Sequence, residues 1–252
     1  MASAGRVLVV DDEAVVCAGI SRALVRNGYE VDTVLEASLA VEKVQTTRYD
    51  VLLVDIMMPR MNGLALLERL REKQRGARAV VITGLGAASH AIEAFRVGAF
   101  DFITKPFTTD ELLSATMRAA TSEAERCASE GPSPPAGTYQ LGIHSWVRHV
   151  ERNLVTVGIH YCFQQTAGRF VSVDLPNEGD ELVQGELCAR VRVQPGGVYT
   201  VWSPVSGRVV EANLTLIQDP TLANTDPYGE GWLVRLFGDA FEEESHLLGP
   251  PS

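Results

Sequence analysis

The chain has 252 residues, 46% of them apolar, and a formal net charge of −10. That length holds roughly two domains, and the composition is that of a folded globular protein and not of a disordered or fibrous one. The acidic balance argues against nucleic acid as a partner, because that binding rests on Lys and Arg neutralising phosphates, and no apolar stretch approaches the length of a membrane span.

The first residues run into a strand without the apolar core of a signal peptide. The four cysteines (Cys17, Cys127, Cys162 and Cys188) show no paired spacing, which fits reduced thiols and a cytoplasmic protein. Val7-Leu8-Val9-Val10 reads as a strand buried on both faces, and it delivers Asp11-Asp12 at its carboxyl end. Val16, Ile20 and Leu24 follow at helical spacing, and Gly28 supplies a C-terminal cap. Residues 30–34 alternate as a second strand, and Leu39 and Val44 belong to a second helix. Val51-Leu52-Leu53-Val54 delivers Asp55, and Asn62-Gly63 opens a third helix through Leu64, Leu66, Leu67 and Leu70. Val80-Val81-Ile82 delivers Thr83, Ile92 and Phe95 mark a fourth helix, and Phe102-Ile103-Thr104 delivers Lys105. Thr108 to Glu111 forms a capping box that opens a fifth helix. Strand–helix alternation over residues 5–125 predicts a doubly wound α/β fold with a five-stranded parallel sheet. Residues 126–138 are small, polar and proline-rich, a linker. From residue 139 short alternating segments with Gly and Pro turns predict a mostly β domain to about residue 241, and the acidic residues 242–252 read as a flexible tail.

In open α/β sheets, ligands bind outside the carboxyl ends of the strands. Asp11, Asp12, Asp55, Thr83 and Lys105 therefore converge on one crevice suited to a divalent cation and a phosphoryl group. A carboxylate attacks a phosphoryl group poorly unless a hard cation such as Mg2+ (or Mn2+) cancels their like charge. Asp11 and Asp12 are candidate metal carboxylates, and Asp55 is both ligand and nucleophile, the phosphoacceptor. Lys105 and Thr83 suit the incoming phosphoryl oxygens, and Gly84 leaves room beside them. Glu13, at the helix start, reads as an acid that complements the helix dipole.

Residues 5–125 resemble the receiver domain of two-component response regulators through VLVVDDE (7–13), DVLLVDIMMPRMNGLALL (50–67), VVITG (80–84) and GAFDFITKPF (98–107). The resemblance implies a flavodoxin-like fold, the Met57 backbone carbonyl as a further metal ligand, and a cis peptide between Lys105 and Pro106. It also implies a histidine kinase as phosphoryl donor and a switch in which Thr83 and Phe102 move. That switch alters the surface of the fourth helix, fifth strand and fifth helix, a surface open to a phosphorylation-dependent homodimer. Met57 and Leu85 flank the expected path of attacking water and are expected to slow hydrolysis. The domain is then a phosphoacceptor and not an enzyme, beyond self-phosphorylation from small donors and autodephosphorylation.

Residues 139–239 resemble the H protein of the glycine cleavage system, a lipoyl carrier. The resemblance rests on Val157-Gly158-Ile159, Val173-Asp174-Leu175-Pro176, Ser203-Pro204-Val205-Ser206-Gly207 and Asp226-Pro227-Tyr228-Gly229-Glu230-Gly231-Trp232. It implies a two-sheet, barrel-like sandwich with short helices. The chain departs from the family at the carrier position. Counting back from Pro204 places the lipoyl lysine at Gly196, within Pro195-Gly196-Gly197, and no lysine follows Lys105 anywhere in the chain. No lipoate is therefore expected. The sequence reads as a phosphorylation-controlled regulator whose non-lipoylated second domain binds protein, with glycine-cleavage or lipoylation enzymes as candidate targets. A phosphate sink with an inert second domain, and a second domain that binds a small ligand or acts as an enzyme, are the competing readings.

Overall fold

The computed structural model describes residues 4–58, 63–74, 76–84, 88–121, 132–194, 196–238 and 240–249. Asn62, Leu85, Cys127, Pro195, the linker residues up to 131 and the last three residues lie outside that set. The chain divides into two compact units, residues 1–87 with 93–121 and residues 88–92 with 122–252.

The first unit is built on strands β1 (Arg6–Val10), β2 (Glu30–Val34), β3 (Val51–Asp55), β4 (Arg78–Thr83) and β5 (Asp101–Thr104), alternating with helices α1 (Ala14–Arg26), α2 (Ala37–Thr46), α3 (Gly63–Lys73), α4 (Ala88–Arg96, of which residues 93–96 belong to this unit) and α5 (Thr109–Ala120). The strands lie in the order β2-β1-β3-β4-β5, and every pairing is parallel. Val7 to Val10, Val51 to Val54 and Val80 to Ile82 are all 0% exposed, as continuous apolar runs require when helices cover both faces. β2, at the sheet edge, has only Val34 buried. Cys17, Ile20 and Leu24 of α1 and Leu112, Ala115 and Ala119 of α5 close one face over Val7, Val9, Val51, Leu53, Val80 and Ile82. In α2 the buried positions are Ala37, Ala40 and Val44, whereas Leu39 faces solvent.

Local chemistry sets the ends of these helices. Gly28 follows α1 with φ +89°, and its N–H donates to the Val25 carbonyl. Thr108 and Glu111 cap each other at the start of α5, satisfying two backbone donors. Gly63 starts α3 hard against the end of β3: a Cβ there would lie 2.3 Å from Ile56 Cα and 2.7 Å from the Asp55 carbonyl oxygen.

The second unit contains two antiparallel sheets. One holds β10 (Glu181–Leu182), β13 (Gly207–Ala212), β14 (Trp232–Phe237), β8 (Leu154–Ile159), β7 (Ser145–Glu151) and β6 (Thr138–Leu141) in that order; the other holds β12 (Val198–Trp202), β11 (Leu187–Gln194) and β9 (Arg169–Asp174). Alternate residues of both sheets, among them Val155, Val157, Val191, Val193, Val201, Val234 and Leu236, fill a common core with Phe163 and Phe170. The short helices are α6 (Tyr161–Ala167), α7 (Thr215–Gln218), α8 (Leu222–Thr225) and α9 (Phe241–Ser245).

The expected flexible tail is packed as far as Gly249. Glu244 accepts from the Ser206 N–H at 2.6 Å and the Ser206 hydroxyl at 2.5 Å. The Phe241 ring packs edge-on against Tyr139, and the Gly249 N–H donates to the Gln140 carbonyl. An acidic run that reads as solvated is thus anchored by one of its own glutamates.

Candidate phosphoacceptor and metal site

β1 and β3 are neighbours in the sheet, and the chain order reverses between them, which opens a crevice at their carboxyl ends. Asp11, just beyond β1, is 0% exposed, and Asp55, the last residue of β3, is 3% exposed; Asp12 faces solvent. One carboxylate oxygen from each of the three lies within 4.8 Å of the others. Oxygens around Mg2+ sit about 2.1 Å from the metal, so opposite ligands are separated by about 4.2 Å. Small side-chain adjustments would bring this trio to the spacing of a hard cation's ligands, and all-oxygen donors are the set that such a cation prefers. Among the described residues no other group of three His, Cys, Asp or Glu side chains has this spacing.

Lys105, beyond the end of β5, reaches into the same crevice. Its Nζ lies 2.7 Å from Asp55 Oδ2, 2.8 Å from Asp11 Oδ2 and 3.1 Å from Glu13 Oε1. Burial acts to lower the Lys105 pKa, but hydrogen bonds to Asp11, Asp55 and Glu13 outweigh it and hold the proton above the ordinary lysine range. Burial pushes the Asp11 carboxyl above its usual value against the pull of Lys105. A divalent cation held here would add positive charge beside the buried Asp11 carboxyl.

The other expected site residues have separate surroundings. The Met57 N–H donates to Asp55 Oδ1 at 2.7 Å, which orients the carboxylate, while the Met57 side chain is 58% exposed. The Thr83 hydroxyl is fully buried with no hydrogen-bond partner among the described residues. A Cβ on Gly84 would meet nothing within 4 Å. Phe102 is buried and packs edge-on against Phe95 with ring centroids 5.6 Å apart. The Lys105–Pro106 peptide is cis.

Glu13 stands at the start of α1 as the sequence reads, and has a partner that the sequence does not show. It occupies the N-cap position of α1, yet its side chain makes no capping hydrogen bond; the carboxylate pairs with Lys105 instead. The dipole reading missed this because the partner lies at a sequence separation of 92 residues. A buried ion pair between Asp101 and Arg118, 3.1 Å long, was also missed. Asp101 opens β5 and Arg118 lies in the last turn of α5, and only the packing of that helix on that strand unites them.

In the second unit the β11–β12 hairpin carries Gly196 and Gly197 at its tip, and the Val193 N–H donates to the Gly197 carbonyl at 3.1 Å. The motif residues nearer the C-terminus build scaffold. Asn213 Nδ2 donates to the carbonyls of Glu230 and Trp232, both at 2.8 Å. Asp226 Oδ2 accepts from the Glu230 N–H, and a Cβ on Gly231 would strike the Leu222 and Asp226 carbonyls. Trp146 is fully buried, with its indole N–H donating to the Pro227 carbonyl. His144 and His160 are buried too. His160 Nδ1 accepts from the Cys162 N–H and caps α6; burial, then the neighbouring His144, pushes its pKa down to about 4.

Comparison with known proteins divides the chain the same way. The response regulator receiver domain family matches residues 7–117, and the glycine cleavage H-protein family matches residues 138–250. A glycine cleavage system H protein from Xylella fastidiosa strain Temecula1 is 41% identical over 110 residues, which cover 44% of this chain and 83% of that protein. The response regulator MprA of Mycobacterium sp. strain KMS is 28% identical over 240 residues, 91% of this chain and 97% of MprA. The crystallised receiver domain of NtrX from Brucella abortus is 33% identical, covering 46% of this chain and 98% of that one at a TM-score of 0.45. No helix among the described residues is long and apolar enough to cross a membrane.

Proposed function

We propose that this chain, which carries a response regulator receiver domain and belongs to the glycine cleavage H-protein family through its second half, is a cytoplasmic phosphorylation switch whose output is a non-lipoylated H-like domain. The observation that carries the first half of this reading is the contact of Lys105 Nζ with Asp55 Oδ2, inside a trio of carboxylates spaced for a cation. The second half rests on Gly196, which stands where a carrier would present its lysine.

Asp11, Asp12 and Asp55 would hold Mg2+, with the Met57 carbonyl as a further ligand. The cation would supply positive charge against the equatorial phosphoryl oxygens. Asp55 attacks the phosphorus of a phosphohistidine on the partner kinase. An O–P bond forms, the N–P bond breaks, and its electron pair returns to the imidazole. Lys105 gives up one carboxylate contact and pairs with a phosphoryl oxygen. The Thr83 hydroxyl, buried without a partner among the described residues, donates to another; an unsatisfied buried donor is costly, so the new bond favours the phosphorylated state. Phe102, packed against Phe95 on α4, couples that shift to the α4-β5-α5 surface, where a homodimer can form.

The second domain keeps the carrier fold without a group to carry. It then acts by docking where a true carrier docks, on glycine-cleavage or lipoylation enzymes. The test is binding of purified enzymes of those two classes to the full chain with Mg2+, with and without beryllofluoride, with Asp55→Asn as control. Binding in only one state, lost in the variant, supports the switch. Equal binding in both states would leave a phosphate sink, and no binding to either class would remove the docking role.

A further inference from the structure

Three features lie outside the phosphoryl chemistry: the cleft lined by Gln45, Thr47, Arg48 and Lys73, the buried His144–His160 pair, and the exposed Leu214, Ile217 and Val171. The polar Gln74 beneath the cleft has its partners within the fold. His160 is engaged in capping α6, and nothing shows what would cover the apolar residues. Glu13, by contrast, is an exposed acid paired with the Lys105 ammonium.

Lys105 touches three carboxylates that differ sharply in exposure: the side chains of Asp11 and Asp55 are 0% and 5% exposed, that of Glu13 is 61%. The two buried acids belong to the cation trio and the exposed one does not. Lys105 and a divalent cation would therefore compete for the Asp11 and Asp55 carboxylates, and their like charges would repel beside these buried groups. An ammonium with no other anion in reach would either block the site or be driven out into water.

Glu13 offers a third course. Its backbone is fixed, because its N–H donates to Asp11 Oδ1 at 2.8 Å. Its side chain makes no helix-capping bond, and its exposed carboxylate already lies 3.1 Å from the Lys105 ammonium. We propose that Glu13 is a positioning residue that holds the Lys105 ammonium at the rim, so that Asp11 and Asp55 can be ceded to the cation while Lys105 stays within reach of Asp55. This rests on the phosphoacceptor reading above and adds to it a residue that acts through Lys105 and not on the metal.

The test is Mg2+ affinity of the full chain by titration calorimetry, with no phosphoryl donor present. Glu13→Gln is expected to weaken binding about fivefold to tenfold, a coupling in the range found for directly contacting charges. In a Lys105→Met background the same change is expected to alter affinity less than twofold. Glu13→Asp, which keeps the charge but shortens the reach, covers the case in which Lys105→Met does not fold; it is expected to lose most of what Glu13→Gln loses. Equal losses with and without Lys105, or a Glu13→Asp variant that binds like the unmodified chain, would mean that Glu13 acts by plain charge and would overturn the proposal. Unchanged affinity in Glu13→Gln would overturn it as well. If the unmodified chain bound no Mg2+, the phosphoacceptor reading itself would fail, an outcome distinct from these.

Discussion

Replacing Gly63 by alanine tests whether the end of β3 is held where the chemistry needs it. The added Cβ would lie 2.3 Å from Ile56 Cα, 2.7 Å from the Asp55 carbonyl oxygen and 3.0 Å from Ile56 Cβ. Carbon atoms pack at about 3.5 to 4.0 Å, so the closest pair must separate by more than about 1 Å. The atoms in the way are mostly backbone, which cannot rotate aside. Either α3 backs away or the Asp55–Ile56 peptide shifts. The second movement disturbs the Met57 N–H bond that orients the Asp55 carboxylate. Overpacking of this kind costs about 1–3 kcal/mol, and a misplacement of about 1 Å at a reacting group costs about a hundredfold in rate. Gly63→Ala is therefore expected to remain folded, to melt several degrees lower, and to accept phosphate from a small donor in Mg2+ about a hundredfold more slowly. The assay pairs a thermal melt with time-resolved intact mass. A rate within a factor of two of the unmodified chain would refute the steric reasoning.

Two further predictions concern the second domain, and all three tryptophans (Trp146, Trp202 and Trp232) lie there as reporters. His160 has a folded-state pKa near 4, below its unfolded value of about 6.5. Its contribution is complete above about pH 6.5 and is lost as pH falls toward 4, a difference worth about 3 kcal/mol. Urea unfolding followed by tryptophan fluorescence should show that loss in the unmodified chain and a shallower one in His160→Gln; equal pH slopes would refute it. Glu244→Ala removes two charge-assisted bonds to Ser206 and should cost about 2 kcal/mol. Stability unchanged to within a few tenths would mean that the C-terminal helix is not an anchor.

The parts of the fold that could be read in advance were those with one-dimensional signals. Runs such as Val51 to Val54 are apolar throughout because both sheet faces are covered, and each run ends on the polar residue that the crevice uses. Thr108 and Glu111 announced a helix start because a capping box is local. What stayed hidden was long-range pairing. Glu13 fitted a dipole rule, and nothing near it in sequence shows that Lys105 lies 3.1 Å away. Glu244 belongs to a run of acids that suits solvent, and its partner Ser206 lies on another element. Asn62-Gly63 reads as a helix start, but the need for glycine at 63 comes from the backbone of Ile56 packed against it.

The most direct test of the switch is acceptance of phosphate at Asp55. The full chain is incubated with a small acyl phosphate donor, with Mg2+ or with a chelator, and read by intact mass and peptide mapping. A single phosphoryl group on Asp55, formed only with Mg2+ and absent from Asp55→Asn, is the predicted result. Equal phosphorylation in chelator, or retention of the group in Asp55→Asn, would contradict the assignment of this crevice as the phosphoacceptor site.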